Sequence, residues 1–531
     1  MAYDVIIIGS GFGGAVTACR LAEKGMKVLV LERGRRWNRQ NFPSVTDRDY
    51  IWDSNHPEKC NGWFDFRVFK DMTVVQGAGV GGGSLVYANI SIEARDELFN
   101  QGWPPEITVR ELRPYYDRVS AMLTPHRLPP NQLTRRFQIM KEGADKLGYG
   151  DRFRSLDMAI TFDPEWTYDQ PDPFNYANSK PWKNAQGVEQ GTCVHCGNCD
   201  LGCPTGARNT LDLNYIPLAE RHGAVVKDLH LVDRIAVADG IGYRVDFRQI
   251  KNGGFVSGSE TARRVIVAAG SMGSTELLLR CRDEHKTLPQ LSPFLGCNWS
   301  SNGDFLTPAF HDPGHRISPT RGPTITSAID FLDGTVDNQQ FFIEDGGFPP
   351  VLNNFLREQL QRRHANPLVE EIYVWLREKL GERIRNDDPL SNAMPWFSQG
   401  IDSADGHLYL RRSWFAPWRR PHMDLRWEIK RSQYVIEAII RMHTRLAAAT
   451  GGTAAVPPTW TILKNLTTPH PLGGCNMGIS SQNGVVDHAG QVFSYPGLYV
   501  ADGAIIPEAI GLNPSKTIAA LAERIADFIR D

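Results

Sequence analysis

The sequence carries almost no net charge and no long apolar run, and each shortage excludes a class of partner or location. Lysine and arginine total 58, against 60 aspartate and glutamate residues in a chain of 531. A nucleic-acid partner is not expected, because proteins that bind nucleic acids present a basic face. No stretch reaches the 18 apolar residues of a transmembrane helix, and the start, MAYDVIIIGSGFGG, does not have the layout of a signal peptide.

Cysteine is also scarce, and its distribution is uneven. Of nine cysteines, four fall within residues 193–203. The other five are scattered and do not suggest a disulfide framework: Cys19, Cys60, Cys281, Cys297 and Cys475. A reducing cytoplasm is therefore the expected location. The length of the chain predicts two or three domains.

The first residues contain the pattern of a strand, a tight turn and a helix. The β-branched run Tyr3–Ile8 predicts a buried parallel strand. A G-x-G-x-x-G motif follows at Gly9, Gly11 and Gly14, and the pattern predicts a helix over residues 15–24. This order is typical of a dinucleotide-binding unit.

A second predicted strand, over residues 27–31, ends at Glu32 and completes the unit. Gly9 makes the turn, Gly11 lets a pyrophosphate approach the backbone, and the helix N-terminus offers free N–H groups to the phosphates. Glu32 is placed to accept hydrogen bonds from a ribose. The unit by itself does not separate FAD from NAD.

Three further segments with glycines each lead from a strand or loop into a helix. They lie at residues 76–89, 265–280 and 497–529. Glycine at such places lets the backbone approach something flat or anionic. An NAD enzyme usually completes its site within one contiguous domain, whereas contacts that range from residue 9 to residue 517 require a longer cofactor. This spread favours FAD, with its ring near the C-terminal segments.

Together these motifs resemble the glucose–methanol–choline (GMC) oxidoreductase family, and within it the cholesterol-oxidase branch. The matching segments are GSGFGG at 9–14, GAGVGGGSLV at 77–86, AAGSMGSTELL at 268–278, SNGDF at 301–305, HPLGGC at 470–475 and LYVADGAIIPEAIGLNPSKTIAALAER at 498–524.

The resemblance implies an α/β protein with a Rossmann-like FAD-binding domain and an interleaved α+β substrate domain that contains an antiparallel sheet. The FAD-binding domain would be discontinuous, with segments 1–35, 71–95, 181–303 and 461–531. The substrate-binding domain would comprise 36–70, 96–180 and 304–460.

The resemblance also implies a set of FAD contacts along the glycine segments. The expected contacts are Gly9, Gly11, Phe12, Gly14, Glu32, Gly79, Gly82, Gly83, Ser84, Ala269, Gly270, Asp502, Gly503, Asn513, Pro514 and Thr517. The family's usual attachment histidine would lie near residues 80–90, but no histidine occurs between His56 and His126. FAD is therefore expected to bind non-covalently.

Three residues are candidates for catalysis on the same resemblance. His470 and Asn513 would line the reactive side of the flavin, and Glu344, with Asp345 as the competing candidate, would be the third polar residue. Imidazole titrates near neutrality and suits a group that takes a hydroxyl proton. An uncharged amide can hold the substrate oxygen. The expected reaction is FAD-dependent oxidation of an alcohol by hydride transfer to flavin N5.

The substrate is expected to be a small apolar alcohol, and a secondary, steroid- or terpenoid-like alcohol is the first hypothesis. Aromatic residues are frequent in the segments without flavin motifs, although an ordinary core explains them equally well. Apolar residues at helical spacing predict an amphipathic helix: Leu368, Ile372, Trp375, Leu376 and Leu380. Packing within its own domain and peripheral contact with a membrane both explain that helix.

The four clustered cysteines follow the spacing C-x2-C-x2-C-x3-C-P, with ligand candidates Cys193, Cys196, Cys199 and Cys203. This is the run that holds an iron–sulfur cluster in bacterial ferredoxins. Some GMC dehydrogenases look similar here, and such a cluster would pass electrons to an external acceptor instead of O2. A reduced loop without metal is the alternative. A GMC-like lyase that binds FAD without net redox turnover is a further alternative for the whole protein.

Overall fold

The computed structural model describes residues 3–39, 50–100, 102–238, 242–361, 381–385, 387–414, 418, 420–461 and 464–530. Its α-helices are α1 (Phe12–Glu23), α2 (Val109–Leu123), α3 (Arg135–Lys146), α4 (Tyr215–Arg221), α5 (Gly270–Leu279), α6 (Pro350–Gln361), α7 (Ile429–Ala449), α8 (Pro458–Thr461) and α9 (Ser515–Phe528). Its strands are β1 (Tyr3–Ile8), β2 (Val28–Leu31), β3 (Ile51–Trp52), β4 (Phe64–Val68), β5 (Met72–Gly77), β6 (Phe153–Ser155), β7 (Trp182–Lys183), β8 (Glu189–Gln190), β9 (Val225–Lys227), β10 (His230–Val237), β11 (Tyr243–Lys251), β12 (Gly254–Val267), β13 (Phe305–Phe310), β14 (Ser327–Val336), β15 (Gln339–Asp345), β16 (Ala393–Gly400), β17 (His407–Arg411), β18 (His422–Arg426), β19 (Thr453–Ala454), β20 (Leu466–Thr468) and β21 (Leu498–Val500).

A seven-stranded sheet forms the framework of the part of the chain that carries the glycine motifs. Its order is β10-β11-β12-β1-β2-β9, and β21 pairs with β12. The pairs around β1 and β2 are parallel, as is the β12–β21 pair. Val5, Ile6 and Ile7 are fully buried, as expected of a parallel strand covered on both faces. The Rossmann-like fold predicted from the sequence is confirmed.

Helix α1 begins at Phe12, three residues before the position expected from the sequence. Gly13 and Gly14 therefore lie inside the helix, where glycine usually weakens the structure. Packing explains both glycines, because a Cβ on Gly13 would lie 1.6 Å from the carbonyl oxygen of Ala501 and one on Gly14 would lie 2.0 Å from that of Gly9. The helix is thus held against its neighbours by direct backbone contact.

A six-stranded antiparallel sheet forms the second layer, in the order β19-β13-β16-β15-β14-β6. Strand β15 carries Glu344, and its preceding residues Phe341, Phe342 and Ile343 are fully buried. The antiparallel sheet inferred from the sequence is confirmed.

The two large sheets separate along the chain as the expected domains do, but a smaller sheet does not. All strands of the seven-stranded sheet fall in segments assigned to FAD binding, and all strands of the six-stranded sheet fall in substrate segments. The four-stranded sheet β20-β5-β4-β3 takes strands from both sets. The domain boundaries themselves stay a prediction.

The amphipathic helix predicted around Leu368–Leu380 lies outside the described residues, so its packing is not decided. In the part of the chain that the structure describes, no helix combines the length and apolar character needed to cross a membrane.

Candidate active site

A cleft of about 1130 Å³ opens where the central parallel strands end. Gly9 follows β1, Glu32 follows β2, Ala268 follows β12 and Asp502 lies just beyond β21, and all four line the cleft. Open α/β sheets bind ligands at this edge. The cleft therefore occupies the position expected for a dinucleotide.

Three helices present their N-termini to this cleft, and at α5 the carboxylate of Asp502 already accepts a hydrogen bond from the backbone N of Gly270, at 2.8 Å. The N-cap residues are Gly11 for α1, Ala269 for α5 and Pro514 for α9, and all three line the cleft. No acidic residue occupies the first turn of any of these helices. Free N–H groups and the positive end of the helix dipole favour an anion at such termini.

Close backbone contacts shape the wall that a cofactor would lie on. A Cβ on Gly82 would lie 2.5 Å from the Cα of Gly11, so the two glycine loops touch without side chains between them. Gly83 and Gly270 also line the cleft, and a Cβ on either would meet nothing within 4 Å. An extended cofactor that carries a pyrophosphate fits this glycine-lined wall.

Glu32 lies at the end of β2 and is almost completely buried. Its Oε2 accepts hydrogen bonds from the backbone N and the hydroxyl of Ser10, at 3.0 and 2.7 Å, and its Oε1 accepts one from the N of Gly34 at 2.9 Å. Burial raises the pKa of the Glu32 carboxyl, and these donors oppose that shift. The same carboxylate therefore braces the first glycine loop and borders the cleft where a ribose is expected.

Most of the predicted cofactor residues line the cleft, but four do not. Gly14 packs against Gly9. The hydroxyl of Ser84 donates to the carbonyl of Gly81, and that of Thr517 lies 2.9 Å from the Tyr116 hydroxyl. The fourth is Gly79, whose carbonyl accepts from the Ser10 hydroxyl at 3.3 Å. These residues hold the loops that form the wall.

His470 borders the cleft and is paired with a buried aspartate. Its Nδ1 lies 2.9 and 3.1 Å from the two carboxylate oxygens of Asp304, which is 1% exposed. The Thr468 hydroxyl lies 2.6 Å from Asp304 Oδ2 and accepts a hydrogen bond from the backbone N of His470. Burial disfavours the imidazolium, but Asp304, assisted by the charge of Glu344, outweighs it and raises the pKa of His470.

Glu344 lies beside Asn513 in a fully buried polar cluster. Its Oε2 accepts hydrogen bonds from the side-chain amides of Gln399, at 2.8 Å, and Asn513, at 3.4 Å. Burial raises the pKa of the Glu344 carboxyl to about 7, against the opposing effect of Gln399, His470 and Asn513. One oxygen of each of the three side chains is buried without a protein partner: Glu344 Oε1, Gln399 Oε1 and Asn513 Oδ1.

The neighbouring Asp345 has a different role. Its Oδ1 accepts hydrogen bonds from the backbone N of Thr326 and of Ser327, at 2.7 and 2.6 Å, and its Oδ2 accepts one from the Thr326 hydroxyl at 2.5 Å. The Arg136 guanidinium is 3.4 Å from Oδ2. Successive side chains of a strand point to opposite faces, so Glu344 belongs to the polar cluster and Asp345 to the framework.

Two residues of the site, Asp304 and Gln399, were not identified from the sequence. Asp304 lies within SNGDF, 166 positions before His470, and that segment carries the only sequence signal that pointed to it. Gln399 comes from β16, which pairs with the strand of Glu344. Neither pairing can be read from local spacing.

The four clustered cysteines lie together in a buried loop region. Their side chains border one small cavity, next to Arg208. The backbone N–H of His195 donates to the sulfur of Cys193 at 3.4 Å, and that of Ala207 donates to the sulfur of Cys203 at 3.2 Å. Within the described residues, no group of three or more histidine, cysteine or acidic side chains is arranged to hold a metal ion. The sulfurs therefore do not show the spacing of a single-ion site such as zinc.

Comparison with known proteins agrees with the geometry of the cleft. Residues 181–300 and 402–522 match the family described as GMC oxidoreductase, and residues 7–38 match an NAD(P)-binding Rossmann-like domain. A cholesterol oxidase from Acinetobacter baumannii is 31% identical over 99% of this chain and 94% of its own length. A cholesterol oxidase from Mycobacterium tuberculosis is 32% identical over 99% of this chain and 91% of its own length.

Among solved structures, a pyridoxine 4-oxidase from Mesorbium loti has a TM-score of 0.61 at 15% identity, over 99% of this chain and 98% of that one, which shows the fold alone. The cleft and the relatives define an FAD-dependent oxidoreductase that acts on alcohols. The chain belongs to the GMC oxidoreductase family.

Proposed function

We propose that the protein oxidises a bulky, apolar secondary alcohol, with a 3β-hydroxysteroid as the first candidate, to a ketone. The observation that carries the proposal is the position of His470 and Asn513 on one cleft, beside an apolar wall. The ring of Phe397 lies 6.1 Å from that of His470, and Leu306 and Phe348 also line the cleft. Similarity to cholesterol oxidases at 31–32% identity supports a sterol-like substrate.

Each of the three polar residues has a distinct task in this proposal. FAD, when bound, supplies the acceptor for the hydride from the carbinol carbon. His470 takes the hydroxyl proton at Nε2, since Nδ1 faces Asp304. Asn513 hydrogen-bonds the substrate oxygen without adding charge. Glu344, whose pKa is about 7, holds or releases a proton if the product double bond migrates.

The test is anaerobic mixing of the FAD-loaded protein with a 3β-hydroxysteroid while the flavin absorbance is recorded. We expect bleaching by the wild type, and at least 10²-fold slower bleaching with FAD still bound in His470→Ala. His222→Ala, which alters an exposed histidine, is the matched control. Unchanged reduction in His470→Ala contradicts the assignment, and substrate turnover without any bleaching favours the lyase alternative.

A second candidate is a dehydrogenase that passes electrons through an iron–sulfur cluster at the four cysteines. The sulfurs of Cys193 and Cys203 each receive a backbone N–H, a feature that tunes the potential of cluster ligands, and the buried Arg208 beside the cavity offsets negative charge. Burial raises the pKa of the Cys193, Cys196 and Cys199 thiols, so without a metal these thiols are protonated and unreactive. This inertness argues against a dithiol redox centre and fits a reduced loop without metal as well as a cluster.

The cysteine site lies next to the cofactor cleft. Asp200, which follows Cys199 in the chain, lines the cleft, as does Tyr87. The guanidinium of Arg208 lies 5.3 Å from the centre of the Tyr87 ring and also borders the cysteine cavity. This adjacency supports the transfer of electrons from the cleft to the cysteines.

A further inference from the structure

One short segment contacts the elements that carry both proposed reacting residues. The segment consists of four buried residues that directly precede β13: Ser301, Asn302, Gly303 and Asp304. The segment is separated from His470 and Asn513 by more than 160 positions in the chain. Its side chains nevertheless reach His470 itself and the three residues directly before Asn513.

Asp304 determines which nitrogen of His470 carries a proton. Burial raises the pKa of Asp304, and its contacts with His470 and Thr468 oppose that shift. In its ionised form the carboxylate can only accept hydrogen bonds, so the Nδ1 that faces it carries the hydrogen. Nε2 is then the lone-pair acceptor on the ring, and His470 borders the cleft. Without this contact either tautomer is available to a neutral imidazole.

Asn302 fixes the loop that ends at Asn513. Its Oδ1 accepts from the backbone N of Ile510 and of Gly511, at 2.9 and 2.8 Å, and its Nδ2 donates to the carbonyl of Leu512 at 2.9 Å. All three bonds go to the residues directly before Asn513. Both polar atoms of the Asn302 amide therefore hold the backbone directly before Asn513.

The segment itself is held rigidly from the other side. Asp402 accepts hydrogen bonds from the Ser300 hydroxyl, from the backbone N and hydroxyl of Ser301 and from the backbone N of Gly303. A Cβ on Gly303 would lie 2.4 Å from the carbonyl oxygen of Gly400, at the end of β16. The segment therefore has little freedom to shift relative to the antiparallel sheet.

We propose that Asn302 and Asp304 are the positioning residues of the reaction: Asp304 fixes His470 as an Nε2 proton acceptor, and Asn302 fixes the position of Asn513, the second polar residue at the substrate oxygen. The proposal rests on the proposed function for the identity of the reacting pair. Substitutions of Asn302 and Asp304 should therefore differ in effect. Both should slow the reaction, but only a change at Asp304 should shift the pH dependence, because only Asp304 contacts the His470 ring.

The first experiment does not depend on activity. In the FAD-loaded protein with 15N-labelled histidine, the His470 resonances are identified by their loss in His470→Ala and recorded above the pH at which the ring loses its charge. The neutral ring should then show hydrogen on Nδ1 alone. Asp304→Asn keeps the shape but can donate to Nδ1, and it should move hydrogen to Nε2. A wild-type ring with hydrogen on Nε2, or the same tautomer in both proteins, overturns the role of Asp304.

The second experiment is the pH profile of anaerobic flavin reduction by a 3β-hydroxysteroid. The neutral imidazole is required, so the rate should rise with pH through the raised pKa of His470, which faces both Asp304 and Glu344. Asp304→Asn should cut the rate at least 10²-fold and move this rise to lower pH. Asn302→Leu, which removes the bonds to Ile510, Gly511 and Leu512 without adding a charge, should lower the rate and leave the pH of the rise unchanged.

Asp402→Asn is the control, because it loosens the same segment at a residue that does not contact His470. It should lower the melting temperature and leave unchanged the pH at which the rate of flavin reduction rises. A profile in Asp304→Asn that matches wild type overturns the proposal. If His470→Ala reduces flavin normally while the tautomer result holds, the proposed function fails and the role of Asp304 as a partner of His470 stands.

Discussion

The Glu344 carboxyl and the Asn513 side-chain amide meet at 3.4 Å, where the antiparallel sheet approaches the N-terminus of α9. The contact is buried, and one oxygen on each side has no protein partner. A buried polar group without a partner costs free energy, so such atoms mark a place where a ligand or water completes the bonding.

Glu344→Gln removes the titratable proton while it keeps a side chain of the same size. If the substrate carries a neighbouring double bond, we expect alcohol oxidation to persist and migration of the double bond to fall at least 10²-fold. The absorbance of the conjugated product measures this step apart from flavin reduction. Asp345→Asn is the matched control, and it should reduce stability through its lost backbone contacts without this specific loss. Equal loss in both variants contradicts the role of Glu344.

The raised pKa of Glu344 also predicts how stability depends on pH. The carboxyl has a pKa of about 7 when folded, against a reference value of 4.5. The native state therefore holds the proton more tightly, and this contribution to stability is full below about 4.5 and lost as the pH rises through about 7. Glu344→Gln should become more stable relative to wild type over this window, by up to about 3 kcal/mol. Denaturant unfolding at pH 5 and pH 8 measures it, and a constant difference refutes it.

Two glycines of the first loop should respond differently to alanine. A Cβ on Gly11 has no atom closer than 3.8 Å, so the cofactor-free protein should tolerate Gly11→Ala, but the methyl group would occupy the cleft at the N-terminus of α1. We expect at least 10-fold weaker FAD binding and an unchanged melting temperature of the FAD-free protein. Gly13→Ala should instead destabilise the fold, because its Cβ would lie 1.6 Å from the Ala501 oxygen. Full FAD occupancy in Gly11→Ala contradicts this assignment of the cradle.

The cysteine site gives a prediction about metal content. If the second candidate holds, protein purified without oxygen should contain about three or four irons per chain and a broad absorption beside the flavin bands. Cys199→Ser should lose the iron and slow the transfer of electrons to a one-electron dye, whereas Cys60→Ser, at an exposed cysteine, should not. Flavin bands alone, with no iron in the wild type, exclude the cluster and favour O2 as the acceptor.

Local signals allowed the cofactor half of the fold to be predicted closely. The strand Tyr3–Ile8 was predicted with its observed bounds, and the segment 497–529, predicted to lead into a helix, contains α9 at Ser515–Phe528. Both elements are determined by residues close in sequence: a run of β-branched residues forms the strand, and Asn-Pro-Ser starts the helix. Ser84 and Thr517 show the limit of motif matching, since both belong to the motifs but bond to the framework.

The partners of His470 and Glu344 could not be predicted in the same way. His470 was identified as a candidate, but its partner Asp304 is set by how the loop before β13 meets the HPLGGC turn. Gln399 reaches Glu344 through the pairing of β15 with β16. Pairings of this kind arise from tertiary packing, which no spacing rule encodes.

The central sheet constrains the order in which the chain can fold. Strand β1 is made first, but its partner β12 begins at residue 254 and β21 joins that strand only at residue 498. Contacts over such separations form slowly and leave early segments exposed in the meantime. During synthesis the N-terminal strand can pair early with β2, but its other edge must wait for β12, which ends at residue 267, and the sheet is complete only after β21 at residues 498–500. Chains truncated before β12 should therefore be prone to aggregate.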